Sequence, residues 1–214
     1  MLTNKPITTL FFISLIVIFI NACSEEAKLQ ALDANASILA FGDSLTYGTG
    51  ASRDKAYPAV LAKMINRNVI NAGVPGEISA KGLSRLASLI SLHQPDLIII
   101  CHGANDILRK LNIDQTKSNL QKMINLAKQN NSQVVLIAVP ESSLFLNTSP
   151  IYRELAKENQ LPVANDILAE ILANNAYKAD HVHPNAQGYQ SLAAEIASIL
   201  KQSGGVDEIT SNIK

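Results

Sequence analysis

A three-layer α/β/α sandwich on a mostly parallel, five-stranded sheet is the fold that this sequence predicts, and three observations lead to it. From Ser37 onward, short β-rich runs alternate with segments of helical periodicity. The β-rich runs are apolar along their whole length, the pattern of strands covered on both faces. Successive runs are separated by enough chain for a helical crossover, and strands joined in that way lie parallel with helices on both sides of the sheet.

The strands fall at Ser37–Phe41, Asn68–Asn71, Asp96–Cys101, Gln133–Val139 and a short run at Pro162–Ala164. Between them the period changes. Leu120, Met123, Ile124 and Ala127 sit at i, i+3, i+4 and i+7, and Tyr189, Leu192, Ala193, Ile196 and Leu200 repeat that stripe, so two helices with one apolar face each are expected there. Ser79 and Asp114 are the expected N-caps. No repeat, linker or low-complexity tract divides the chain, so 37–202 reads as one domain. Gly204-Gly205 follows the last helix, and 203–214 is expected to be a flexible tail.

The 214 residues carry 18 Lys+Arg against 18 Asp+Glu, with 47% hydrophobic and 17% charged residues. That balance fits neither a charge-rich disordered chain nor a membrane bundle. A chain of this size buries about 70% of the surface it exposes when unfolded, enough for a core without disulfides or structural metal. Zero net charge with no stripe of Lys and Arg removes the footprint that phosphate-backbone binding needs, so no nucleic-acid partner is expected.

Lys5 precedes a nearly unbroken apolar run, Leu10 to Ile20, which meets Asn21-Ala22-Cys23. The run is shorter than the roughly 20 residues of a bilayer span, and it reads as a secretory signal covering 1–22. Ile20-Asn21-Ala22-Cys23 resembles the bacterial lipobox, although Asn21 departs from the small residue usual there. That resemblance implies cleavage before Cys23, a lipid on Cys23, and a membrane-anchored lipoprotein in the periplasm of a Gram-negative-type envelope. Simple cleavage or an uncleaved anchor are the alternatives. Residues 23–36 would then be a tether. Cys101 is the only other cysteine, so a lipidated Cys23 leaves no intrachain disulfide, and Cys101 reads as a buried small hydrophobe at a strand end.

In a parallel sheet, functional groups collect where strands run into helices, because those loops converge on one edge and helix N-termini point donors there. After the first strand comes Gly42-Asp43-Ser44-Leu45, a serine at a strand-to-helix turn, though Thr46 stands where a Gly-x-Ser-x-Gly elbow has its second glycine. After the second comes Asn71-Ala72-Gly73-Val74-Pro75-Gly76, where Gly73 permits close backbone approach to a ligand or simply a tight turn. After the third comes Gly103-Ala104-Asn105-Asp106, whose amide carries two N–H donors. Before the last helix, Asp180-His181-Val182-His183-Pro184 lets the Asp180 carboxylate reach His183 and orient its imidazole, the geometry a serine hydrolase needs. Asp180, His181 and His183 could instead hold a metal, but no further His or Cys cluster completes a shell. His93 fits the end of a helix. His102, beside the Asn105 loop, fits a structural hydrogen bond better than a chemical role.

Taken together, serine, glycine, asparagine, then aspartate with histidine, each at the end of a successive strand, resemble the SGNH hydrolase family, also called GDSL esterases, over roughly Ser37 to Leu200. Ala56-Tyr57-Pro58 and the overall size are similar to small bacterial periplasmic arylesterase, thioesterase and lysophospholipase-type enzymes. His102 departs from the apolar residue or glycine common there. The resemblance implies a flavodoxin-like sheet and a serine esterase acting on aryl esters, acyl thioesters or lysophospholipids. Ser44 is then the nucleophile, His183 the general base and Asp180 its orienting acid. The backbone N–H of Ser44, the backbone N–H of Gly73 and the side chain of Asn105 form the oxyanion hole. No metal or organic cofactor is implied, and the partners are an acyl ester or lysolipid and, through Cys23, a membrane.

Substrate choice is less legible. Leu144-Phe145-Leu146 and Ile107-Leu108-Arg109-Lys110-Leu111 are expected to flank an acyl-chain groove, unless Leu144 to Leu146 simply pack under their loop. A carbohydrate O-deacetylase of the same family and a non-catalytic envelope binding module are the alternatives. The aromatic content of 5% with no Trp leaves few rings for stacking sugars and favours acyl lipids or simple esters.

Overall fold

The computed structural model describes residues 27–141 and 147–207. The expected signal segment, Cys23 and Leu144 to Leu146 lie outside the described residues. Five strands, β1 (Ser37–Gly42), β2 (Asn68–Gly73), β3 (Leu97–Cys101), β4 (Gln133–Ile137) and β5 (Val163–Ala164), form one sheet in the order β2-β1-β3-β4-β5. Every pairing is parallel. Ile38 to Phe41 in β1 and Leu97 to Cys101 in β3 are without solvent exposure, which is why these runs carry no polar alternation. β4 stops two residues short of the expected Val139, because β5 offers only two residues to pair with.

The connecting helices are α1 (Ser44–Tyr47), α2 (Tyr57–Ile65), α3 (Ser79–His93), α4 (Ala104–Leu108), α5 (Ile113–Gln129), α6 (Pro150–Asn159), α7 (Ile167–Ala173) and α8 (Ala186–Gln202). Both expected stripes are the buried faces of their helices: Leu120, Met123, Ile124 and Ala127 in α5, and Tyr189, Leu192, Ala193, Ile196 and Leu200 in α8. α8 packs on α2 and α7, while α5 packs on α3 and α6, giving two helix groups around the sheet.

Neither expected N-cap holds that position. Asn112 caps α5 by accepting the N–H of Gln115, and Asp114 lies in the first turn, where a carboxylate meets the positive end of the helix dipole. Ser79 is already helical; its N–H and its hydroxyl both donate to the Asp106 carboxylate, at 2.8 and 2.6 Å, so a residue of α4 caps α3 from outside. A cap supplied across the fold leaves no local spacing to read.

The two ends of the domain are tighter than expected. The N–H groups of Leu29 and Leu32 donate to the carbonyls of Ser203 and Gly205, both at 2.8 Å, and Leu29 and Val206 pack on the core. Residues 29–36 are therefore a strap rather than a tether, and 203–206 are its partner rather than part of a loose tail, held by backbone hydrogen bonds together with apolar burial. Between Leu29 and Val206 lie the complete sheet, both helix groups and the apolar core, all built from residues that follow Ser24.

The strand order positions the site. After β1 the chain moves to β2 on one side and returns to β3 on the other, so the carboxyl ends of β1 and β3 open the crevice where ligands bind in such sheets.

Candidate active site

Ser44 opens α1 directly after β1. Its Oγ lies 3.0 Å from Nε2 of His183, and Nδ1 of His183 lies 2.8 Å from Oδ2 of Asp180. The other oxygen of Asp180 accepts the backbone N–H groups of Val182 and His183 at 2.8 and 2.9 Å. A carboxylate against Nδ1 places the proton there and leaves the Nε2 lone pair toward Ser44. Partial burial opposes ionisation of Asp180, but the hydrogen bonds from His183 and Val182 outweigh it and hold the carboxyl below its ordinary range. The loop is pinned on both sides. Ala179 N–H donates to the His183 carbonyl, Asn185 caps α8 and donates to the Ala176 carbonyl, and the Tyr189 hydroxyl donates to the carbonyl of Thr49 beyond α1.

Asn105 sits in the first turn of α4, after β3. Its Nδ2 donates to the Glu77 carbonyl at 3.1 Å and to Oδ2 of Asp43 at 3.2 Å. Asp43 is fully buried, and its other oxygen accepts the Leu45 N–H at 3.0 Å. Burial pushes the Asp43 carboxyl above its ordinary value, against the pull of His102, Leu45 and Asn105. Asp43 thus ties the serine turn to the asparagine turn, a role that sequence reasoning missed although the residue stands beside Ser44.

Gly73 is not at the cleft. Its N–H donates to Oδ1 of Asn71 at 3.0 Å, and a Cβ there would run into the backbone of Thr46 and Tyr47. Asn71 donates in turn to the Thr46 carbonyl at 2.9 Å, so the end of β2 lies against α1. This explains how Thr46 replaces the second glycine of an elbow: the room comes from the neighbouring strand, and Thr46 is buried with its hydroxyl 3.2 Å from that of Tyr57. The glycine that borders the cleft beside Ser44 and Asn105 is Gly76, whose φ of +76° suits glycine alone. Pro75-Gly76, a turn dipeptide, was the signal available in the sequence.

His102 is entirely buried. Gly103 N–H donates to its Nδ1 at 3.1 Å, so Nε2 carries the proton and faces Oε2 of Glu77 at 3.1 Å. Arg85 Nε lies 2.8 Å from both oxygens of the same carboxylate, and its Nη2 donates to the carbonyls of Gly42 and Ala72 at the ends of β1 and β2. Burial of Glu77 opposes its charge, yet His102 and Arg85 together hold its carboxyl below the ordinary range. The structural reading of His102 is thus the geometry observed. His102→Leu is expected to leave the Gly103 N–H unpaired and to destabilise the fold by roughly 1–3 kcal/mol, measurable by denaturant unfolding.

His181 borders the cleft without joining the triad, and among the described residues no third donor joins His183 and Asp180 as a metal shell would require. His93 lies in the last turn of α3, and the Cys101 thiol is buried, which pushes its pKa well up. The cleft itself is a cavity of about 680 Å³, with Ser44, His183 and Asn105 on its wall and Leu45, Pro75, Leu108, Leu172 and Val182 around them.

A hydroxyl, an imidazole and a carboxylate in series at the carboxyl edge of a parallel sheet are the groups that acyl-transfer hydrolysis by a serine nucleophile requires. Residues 40–191 match the GDSL-like Lipase/Acylhydrolase family, and the chain belongs to it. It is similar to an arylesterase of Vibrio mimicus, 32% identical over 184 residues that cover 79% of this chain and 90% of the relative. It is also similar to thioesterase 1/protease 1/lysophospholipase L1 of Escherichia coli (strain K12), 30% identical over 173 residues covering 77% and 83%. The fold recurs in the psychrotrophic esterase EstA from Pseudoalteromonas sp., with a TM-score of 0.71 at 21% identity over 78% of this chain and 98% of that one. The protein is a carboxylic ester hydrolase of the GDSL/SGNH type.

Proposed function

We propose that Ser44 attacks the acyl carbonyl while His183 takes its proton, and that His183, held by Asp180, then passes that proton to the leaving group. Water hydrolyses the acyl-Ser44 intermediate with His183 again as base. The observation that carries this reading is the unbroken Ser44–His183–Asp180 chain, at 3.0 and 2.8 Å, on the wall of an apolar cavity. The oxyanion is received by the backbone N–H groups of Ser44 and Gly76 and by Asn105, which exchanges its longer bond, to Asp43, for the developing charge. Asn105→Ala is expected to lower kcat by about 10²–10³ with the fold intact, checked by turnover beside circular dichroism.

The substrate class is an ester or thioester with an apolar acyl or aryl group, since Leu45, Pro75, Leu108, Leu172 and Val182 surround the nucleophile with surface against which the hydroxyls of a sugar would go unpaired. Aryl esters, acyl thioesters and lysophospholipids all present such a group. Hydrolysis of p-nitrophenyl esters from acetyl to palmitoyl tests this: activity rising beyond acetyl supports the acyl groove, and activity on acetyl alone supports a glycan O-deacetylase. Because Asp180 is held below its ordinary range, it stays ionised wherever the imidazole works. The acid limb of kcat/KM above about pH 4 is therefore expected to have a slope of one on a logarithmic plot, and a slope of two would mean that Asp180 protonates alongside His183.

Residues 1–22 act, in this reading, as an export signal, Cys23 carries lipid, and the enzyme works in the periplasm. Metabolic labelling with palmitate checks it, with label lost in Cys23→Ser.

A further inference from the structure

We propose that the mouth of the catalytic cleft docks on an anionic lipid surface, with Val74, Leu111 and Ile113 entering the apolar layer and Arg109 and Lys110 meeting the headgroups. The proposal rests on the esterase reading and adds to it that the substrate is drawn from a lipid phase.

Six large apolar side chains stand exposed among the described residues, and four of them, at 41–47% exposure, lie in two neighbouring places: Val74 after β2, and Leu108, Leu111 and Ile113 across the junction of α4 and α5. Single exposed apolar residues are ordinary; a cluster confined to one rim is not. The Arg109 guanidinium joins the two places by donating to the Gly76 carbonyl at 2.8 Å. Gly76 and Leu108 also border the catalytic cavity, so the patch is continuous with the path to Ser44.

The backbone presents this rim outward. α4 ends at Leu108, the Leu111 N–H closes a turn on the Asp106 carbonyl, and Lys110 holds a left-handed φ of 54°, rare for a residue with a side chain. The charges are one-sided. Between Ile107 and Ile113 the only charged residues are Arg109 and Lys110. Of the nearby acids, Asp106 is buried against Ser79 and Thr116, and Glu77 is turned inward to Arg85 and His102. Asp114, exposed in the first turn of α5, is the acid left beside the two cations in the chain, and Glu141, also exposed, stands on the wall of the cavity itself. Apolar side chains flanked by cations at the entrance of an apolar cleft match a surface of acyl chains under negative headgroups.

The test uses the chain from Ser24, vesicles of phosphatidylcholine with or without phosphatidylglycerol, and the variants Leu111→Ser/Ile113→Ser and Lys110→Glu. The parental protein is expected to sediment with the anionic vesicles. The double variant is expected to bind them roughly tenfold more weakly or worse, to lose turnover of p-nitrophenyl palmitate carried in them in the same proportion, and to keep its turnover of dissolved p-nitrophenyl acetate. Lys110→Glu is expected to weaken binding to the anionic vesicles alone. Absence of parental binding, undiminished binding by the double variant, or its loss of acetate turnover would overturn the proposal, and equal binding to neutral vesicles would overturn the assignment to an anionic surface. Vesicle binding by a parental protein inactive on every ester would leave the docking surface standing and refute the esterase reading instead.

Discussion

Ser44→Ala is expected to lower kcat by about 10⁶, and adding His183→Ala to lower it no further. The reason is in the geometry. Every step of His183 begins from Ser44 Oγ, 3.0 Å away: without the hydroxyl there is no proton for Nε2 to take and pass to the leaving group, and no acyl-enzyme for water to resolve. Residues that act as one unit lose their whole effect when any one is removed, and a multiplicative loss in the double variant would show that they act separately. Steady-state kinetics on p-nitrophenyl butyrate with highly purified protein measures both, and a residual rate should remain from the oxyanion donors, which the substitution leaves in place.

Asp180→Asn is expected to cost about 10⁴ in kcat with little change in KM. An amide at this position can still accept the backbone N–H groups of Val182 and His183, so the loop holds its shape. Facing Nδ1, however, it either turns the ring to the tautomer whose Nε2 carries the proton or leaves the imidazolium without its counter-charge. Asp180→Glu, which restores charge at a longer reach, is expected to recover part of that loss. A variant retaining parental turnover would mean that the loop alone orients His183.

The sheet was legible because its central strands β1, β3 and β4 are buried and carry no polar alternation, and the strand boundaries shift by only one or two residues. The Asp180–His183 hydrogen bond was legible because both partners lie three positions apart in one loop, whereas the approach of Ser44 to His183 is made between residues 139 positions apart. Less legible were several partners supplied across the fold. Ser79 looked like a cap and is itself capped by Asp106, 27 positions away. Gly73 looked like the cleft glycine because it directly ends its strand, yet its neighbour across the sheet is the turn that carries Ser44, and Gly76 reaches the cavity. His102 read as the holder of a structural hydrogen bond, which the fold shows, but the sequence did not name its partner Glu77, 25 positions away. Nor does periodicity show that 29–36 and 203–206 hold each other, because a strap whose large apolar residues are Leu29 and Leu32 alone carries no repeat.

The claim on which the rest depends is that Ser44 is the one hydroxyl made nucleophilic by an imidazole. Intact-mass and peptide mass spectrometry after treatment with a fluorophosphonate tests it most directly, on the chain from Ser24 and on Ser44→Ala. A single adduct on the peptide that contains Ser44, absent from the variant and strongly slowed in His183→Ala, is the predicted result. An unmodified parental protein, or an adduct on any other residue, would contradict it.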